Sequence, residues 1–526
     1  MARLLVVGDP VVTLTDETDY IDEGALIVED RTVVAAGRRV DLEARGPFDR
    51  VIGSPDHLVM PGFINGHFHA QGPGSPGLFE FIFERMNVRI FRRALSDDDL
   101  RTITLVGLIR AIRGGQTGAV DFSYGNPLMA DMGNPPILDA YETIGMRVAL
   151  GMVTRDQNIY VHEPDKEFLG RLPDELAAQV RESSMGYAWP TEDVVAAYRK
   201  LHTEWDERDG RIRLILAPDW TPACSDELYV LNRRLADEYG TGITTHALET
   251  KSEMLFNLEA YGKTAMRRLA DLGVLGPDVS LAHFVWATDE DIQIVADTGA
   301  VAVNNAGSNL RLSTGIARTR DIMNAGGRVA FGTDAISFSD EEDFFQELRL
   351  AAYLQRVPGD LEVGRLDSAD VLRCAARNGA RALRQEDRLG SLAVGKEADL
   401  LVLSKRRLLW PPQKYAWVSV LDALLDRANA SDLETVMIAG RIVLDGGEIL
   451  TIDERRVLAD FADAGRDRLW VLTDDIRGQM ALASEVEPYV LEFYRRWAET
   501  PVTPASVYNA RSVPPRTESP QGDETP

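Results

Sequence analysis

The sequence predicts an α/β protein: a (β/α)8 TIM barrel with a small β-sandwich domain built from the N- and C-terminal segments. Eight short apolar runs alternate with amphipathic stretches of helical period. Both ends of the chain alternate apolar and polar residues in short pieces broken by turns. No Gly-rich phosphate fingerprint follows the first run, which disfavours a doubly wound open sheet.

The apolar runs are Phe63–His69, Gly118–Tyr124, Arg147–Thr154, Arg211–Pro218, Gly242–Leu248, Val279–Val285, Ala300–Ala306 and Arg328–Asp334. Helical patterns lie between them over Asp97–Arg113, Thr191–Glu207, Ser225–Tyr239, Lys251–Leu272, Asp289–Thr298 and Thr314–Ala325. Parallel strands need such crossovers, and eight consecutive units close into a barrel. Residues 1–60 (strands near Leu4–Val7, Gly24–Glu29 and Thr32–Gly37) and 388–450 (Ala398–Leu403 and Thr435–Leu444) read as two halves of one sandwich beside a barrel over 61–387. A helical extension occupies 451–500, notably Asp453–Leu472 and Ala481–Thr500. It serves either a homo-oligomer interface or the chain's own barrel. Residues 501–526 are Pro-, Ser- and Thr-rich and are expected to be disordered. The interstrand segment 155–190, with Tyr160, His162, Tyr187 and Trp189, reads either as a lid or as a packed insertion.

Composition narrows the function class. No apolar run approaches the roughly 18 residues of a membrane span, and the N-terminus shows no signal-peptide pattern. Two cysteines, Cys224 and Cys374, leave no disulfide framework and fit a reducing cytoplasm. The 57 basic and 83 acidic residues give a net charge of −26, which argues against nucleic-acid binding. That charge suits either a cationic substrate or plain solubility.

Histidine carries the chemical signal. Of seven histidines, His67 and His69 stand at i and i+2 on the first strand, so both rings face the same side. His246 and His283 fall near the ends of the fifth and sixth strands, and Asp334 ends the eighth. All five meet on the C-terminal rim, where barrel active sites sit. His57, His162 and His202 fall in loops or on helices and read as solvated or locally paired.

The motifs Pro61–His69, His246-Ala247-Leu248-Glu249, Leu281–Trp286, Ser308–Gly315, Gly332–Ala335 and Gly390–Leu400 appear in this order. Over roughly residues 1–450 the chain resembles the amidohydrolase superfamily. Within it the chain resembles the branch of guanine deaminase, methylthioadenosine/S-adenosylhomocysteine deaminase and the triazine hydrolases. The resemblance implies one divalent metal on His67, His69, His246 and Asp334. Zinc is the usual choice, with Fe2+, Mn2+ or Co2+ accepted by similar ligands. It implies that the metal lowers the pKa of its water and that Asp334 also accepts a proton from that water. It implies Glu249 as the acid/base toward the substrate and His283 as the group that polarises the attacked centre. The residues alone also allow Glu249 as a helix-start carboxylate and His283 as a satisfied core histidine. Relatives with two metals carry a lysine on the fourth strand; Arg211–Pro218 has none.

The substrate-lining positions depart from the relatives. Pro218-Asp219-Trp220-Thr221-Pro222 replaces a His-containing turn, Asn304–Asn309 replaces a Pro-Ser-Asn sequence, and Ala70–Gly74 matches no single activity. Trp220 offers an aromatic face for a planar ring or is a packed rim residue; Gln71 is placed to hydrogen-bond a heterocycle edge. The expected activity is deamination of an amino-substituted nitrogen heterocycle, a small-molecule substrate. Cleavage of another C–N bond (amide, urea or carbamate) and a silent metal-binding role are the alternatives.

Overall fold

Strands that are covered on both faces read as continuous apolar runs, not as alternating ones. Arg147–Thr154 (RVALGMVT) is such a strand and is buried at every position. The computed structural model describes residues 2–72, 84, 95–126, 129–183, 185, 188–335, 342–356, 366–409 and 419–502. The expected disordered tail lies almost wholly outside these residues, as does Tyr187.

The central sheet contains β1 (Phe63–His69), β2 (Gln116–Ser123), β3 (Arg147–Thr154), β4 (Ile212–Pro218) and β5 (Ile243–Ala247). It continues with β6 (Val279–His283), β7 (Val301–Asn304), β8 (Arg328–Phe331) and β9 (Asp334–Ala335). Neighbours pair in sequence order from β1 to β8, all in parallel. The short β9 then pairs with β1, Asp334 opposite Phe68 and Ala335 opposite His69. β8 and β9 are two pieces of one strand, so the pairing runs round a TIM-barrel-like ring. The break falls at Gly332-Thr333. A Cβ on Gly332 would stand 2.8 Å from both N and O of His67 and 2.5 Å from Oδ1 of Asn305. Only glycine lets the eighth strand pass this close to the first metal-type histidine.

Helices cover the outside as expected, with boundaries set by caps. Asp97–Arg113 starts on a Ser96 capping box and ends at Gly114. The pattern over Lys251–Leu272 is two helices, Lys251–Tyr261 and Ala265–Asp271, because Gly262 turns with φ 65° and Thr264 caps the second. The pattern over Thr314–Ala325 shrinks to a helix over Thr319–Asn324.

Two further sheets flank the ring. One joins Thr32–Arg38, Gly24–Glu29, Arg3–Gly8 and Arg50–Gly53. The other has seven strands and mixes the two ends of the chain, with His57–Pro61 antiparallel to Leu400–Ser404. Val6, Leu26, Val28, Val59, Leu400 and Val402 share one buried cluster between them. Arg147, fully buried at the start of β3, ties this part to the barrel. It donates to Asp399 at 2.7 and 2.8 Å and to Glu397 at 2.5 Å.

The segment 155–190 carries two short helices, Asp165–Leu169 and Asp174–Glu182. Phe168 and Val180 of these helices and Leu172 between them pack with Val486, Val490, Phe493 and Trp497 of the long helix Asp474–Ala498. The apolar face of that helix is thus covered by the protein's own chain. No helix among the described residues is long and apolar enough to cross a membrane.

Candidate active site

Strand geometry delivers the site. Side chains two apart on β1 share a face, and the His67 and His69 rings lie 4.9 Å apart, centroid to centroid. β5 brings the His246 ring to 4.8 Å from His67, and β6 brings His283 to 5.2 Å. Asp334 opens β9, and its Oδ1 lies 3.2 Å from His69 Nε2 and 3.7 Å from His67 Nε2. Its Oδ2 is 4.0 Å from His283 Nε2. Glu249 follows β5, and its Oε1 sits 3.6 Å from His283 Nδ1. The six residues singled out in the sequence for ligation and catalysis therefore meet on one rim. Leu248, His283 and Asp334 all hold positive φ (53°, 73° and 61°), a strained conformation for side-chain-bearing residues that clusters at functional sites.

The arrangement suits a metal ion. Ligand atoms of His67, His69 and His246 all lie within 4.8 Å of one another, as do those of His67, His283 and Asp334. Both ring nitrogens of His67 are buried without a hydrogen-bond partner, a state that costs free energy unless something fills it. The other rings are held from behind. His69 Nδ1 donates to the Phe122 carbonyl at 2.7 Å and His246 Nδ1 to the Asp219 carbonyl at 3.0 Å. That leaves Nε2 of each turned inward, the usual way a protein orients histidine ligands. A set of nitrogens and one carboxylate fits a divalent cation.

Electrostatics divide the carboxyls. Burial works against ionised Asp334, but the hydrogen bond and charge of His69, with His283 and His67, hold it well below the usual carboxylate range. Glu249 is pushed well above its ordinary value, first by burial and then by the charges of Asp334 and Glu253. The surroundings favour the charged form of one carboxyl and the protonated form of the other, a division of roles that acid/base sites exploit. Burial also lowers His283 to about 4, so its ring is neutral near pH 7.

Several supporting groups were not singled out in the sequence for what they do. Ser308 Oγ donates to Asp334 Oδ2 at 2.5 Å. Asn309 Oδ1 lies 2.9 Å from His283 Nδ1. Tyr124 stacks 5.6 Å from the His69 ring and donates its hydroxyl to Asp219. Asp121 lies buried behind β1, accepts from the Ala70 amide and from Tyr141, and is raised to about 6 by burial. A carboxylate inside an otherwise apolar run was the readable signal for Asp121. Replacing Ser308 by Ala removes the donor on Asp334 and is expected to weaken metal retention roughly tenfold or more, as measured by competition with a chromogenic chelator. Unchanged retention would show that Ser308 does not tune that carboxylate.

The two substrate-side candidates are engaged with the protein. Gln71 Nε2 donates to Asp121 Oδ2 at 3.4 Å. Trp220 is 6% exposed, clusters with Ala223, Leu312 and Ala335, and bridges His246 through its backbone. His162 departs from the expectation of a solvated or locally paired side chain. It is buried against Trp220, Phe256 and Trp497, and its Nδ1 lies 3.1 Å from the hydroxyl of Tyr494.

Comparison with known proteins agrees with this geometry. A family described as the amidohydrolase family matches residues 58–443. The chain is 28% identical to a 5'-deoxyadenosine deaminase of Methanosarcina barkeri, over 89% of this chain and 98% of that protein. It is 30% identical to a 5-methylthioadenosine/S-adenosylhomocysteine deaminase of Thermococcus kodakarensis, over 80% of this chain and 89% of that protein. Among solved structures it is similar to a zinc-bound adenosine deaminase from Xanthomonas campestris. That match has a TM-score of 0.75 and 25% identity, and covers 89% of this chain and 99% of that one. With more than half its length matched and the donor set on the expected strand ends, the chain belongs to the amidohydrolase family.

Proposed function

We propose that this protein is a metal-dependent hydrolase that deaminates an amino-substituted nitrogen heterocycle of the adenine type. The observation that carries the reading is the buried Glu249 beside His283, at the edge of a three-histidine, one-carboxylate donor set. The names of the relatives, deaminases of adenosine derivatives, support the same class. His67, His69, His246 and Asp334 would hold one divalent ion. Zinc is favoured, with iron, manganese or cobalt as substitutes.

When bound, the metal brings the pKa of a water toward neutrality. Asp334, charged and fixed by Ser308, receives a proton from the attacking water. Glu249 gives its proton to the ring nitrogen that gains electron density as the ring is attacked. His283, neutral and held by Asn309, orients the group at the attacked carbon. Asp334 then passes its proton to the departing amine, which leaves as ammonia, while the hydroxyl on the attacked carbon returns a proton to Glu249 as the carbonyl forms. In this reading Trp220 contributes a wall, and Gln71, fixed by Asp121, turns toward the heterocycle edge. The same reading takes the two flanking sheets as one small β-sandwich framing the barrel, and places the enzyme in the cytoplasm.

The test is ammonia release from metal-loaded protein offered aminopurines, aminopyrimidines, pterins and aminotriazines, with ureas, carbamates and amides followed for other products. Chelator-treated protein is the control. Metal-dependent ammonia from an aminopurine is expected. Turnover confined to ureas, carbamates or amides would replace deamination with cleavage of another C–N bond.

A further inference from the structure

A cavity of about 190 Å³ adjoins the rim. Thr250, Ser252, Trp286 and Leu312 line it from the barrel side, and Tyr494 and Trp497 line it from the helix Asp474–Ala498. Thr250 follows Glu249 directly, and Trp286 lies three residues beyond His283, so the cavity opens beside the proposed proton donor. Its volume is below the roughly 300–1,000 Å³ that encloses a whole small-molecule ligand. It therefore suits one substituent of a substrate whose reacting ring sits at the metal. The helix lies beyond the family match, which ends at residue 443.

The polar ends of all three aromatic walls are already used by the protein. Trp286 Nε1 donates to the Thr314 carbonyl at 2.6 Å. Trp497 Nε1 donates to Glu259 at 2.9 Å, and the Tyr494 hydroxyl meets His162. Thr250 Oγ1 and Ser252 Oγ lie 2.8 Å apart in a mutual hydrogen bond. The faces of the three rings and the Leu312 side chain are the apolar part of the lining, beside Glu84, Lys251, Ser313 and Thr314.

Charge points the same way. The cavity meets the last turn of the helix, whose carbonyls already accept from Glu499, Thr500 and Lys251 and whose cations, Arg495 and Arg496, pair with Glu492 and Glu259. Lys251, the cation in the lining, donates to the Ala498 carbonyl at 2.9 Å. Glu84 adds a carboxyl. An anionic group would meet the Glu84 carboxyl and cations already held by the protein's own carbonyls and carboxylates.

Resting on the deaminase reading, we propose that the Asp474–Ala498 helix makes Tyr494 and Trp497 specificity-determining residues. They select an uncharged apolar or aromatic substituent on the heterocycle and reject an anionic one.

The experiment uses calorimetric titration of the full-length, metal-loaded Glu249→Gln protein with adenine, N9-benzyladenine and N9-(4-carboxybenzyl)adenine. Burying a phenyl group predicts that N9-benzyladenine binds about tenfold or more tighter than adenine, and the carboxylate derivative should lose that gain. Ala498 is exposed, so Ala498→Trp narrows the cavity without entering the core; Trp497→Leu strips one wall. Each is expected to cut the benzyl-to-adenine preference about fivefold or more. A preference unchanged in both variants, a carboxybenzyl ligand that binds as well as the benzyl one, or no binding of N9-benzyladenine would each overturn the proposal. Binding is read without turnover. A wild-type protein that binds N9-benzyladenine but releases no ammonia would remove the deaminase reading and leave the pocket standing.

Discussion

Glu249→Gln is expected to keep its metal and to lose about 10²–10⁴-fold in kcat. Glutamine matches the side chain in size and still fits a site that is 3% exposed. It has no carboxyl proton to give to a ring nitrogen. Burial and the charges of Asp334 and Glu253 disfavour the ionised form of the wild-type group. The donor atoms gathered for the ion come from other residues, so metal content measured by atomic absorption should stay at one per chain. The loss should fall on kcat more than on KM, because proton donation matters in the transition state. A fully metallated variant with wild-type turnover would remove the role assigned to Glu249.

Arg147→Met should cost about 3–5 kcal/mol, because it leaves the buried Asp399 without its cation, while Glu397 keeps Arg388 and Arg31. The guanidinium has no exposed surface and serves Asp399, Glu397, Gln385 and the Gly210 carbonyl together. Methionine fills much of the volume but none of the charge. Asp399 would keep only partial compensation from the Ala439 amide at 2.7 Å. A chain of this size seldom unfolds in a single step, so hydrogen exchange is the better measurement. Faster exchange is expected first in Leu400–Ser404 and Leu433–Ile438, whose position depends on Asp399, with the centre of the barrel affected later. A variant whose exchange and urea midpoint match the wild type would show that the cluster adds nothing net.

The sequence exposed what repeats locally and hid what depends on distant partners. Phe63–His69 and Arg147–Thr154 have the boundaries their apolar runs suggest, and other strands shift by one to three residues at an end. The histidine pair was legible because a strand repeats every two residues. The break at Gly262 was not, since apolar periodicity continues across it while the backbone does not. Segment 155–190 looked featureless because helices of five and nine residues are too short to show a period. His162 was misjudged for the same reason: its partner Tyr494 lies 332 positions away. The groups behind the site, from the accepting Phe122 and Asp219 carbonyls to the donating Ser308, are long-range contacts with no spacing rule to reveal them.

The pairing of segment 155–185 with the helix Asp474–Ala498 also sets a timetable. A chain made from its N-terminus at roughly 5–20 residues per second folds its early parts first. All strands of the ring, and every proposed ligand, are synthesised before residue 336. Phe168, Leu172 and Val180 must then wait for Val490, Phe493 and Trp497 to cover them. A nascent chain therefore carries every proposed ligand while the cavity still lacks the wall that Tyr494 and Trp497 supply. On the specificity proposed for that wall, selectivity would be completed after the ligand set.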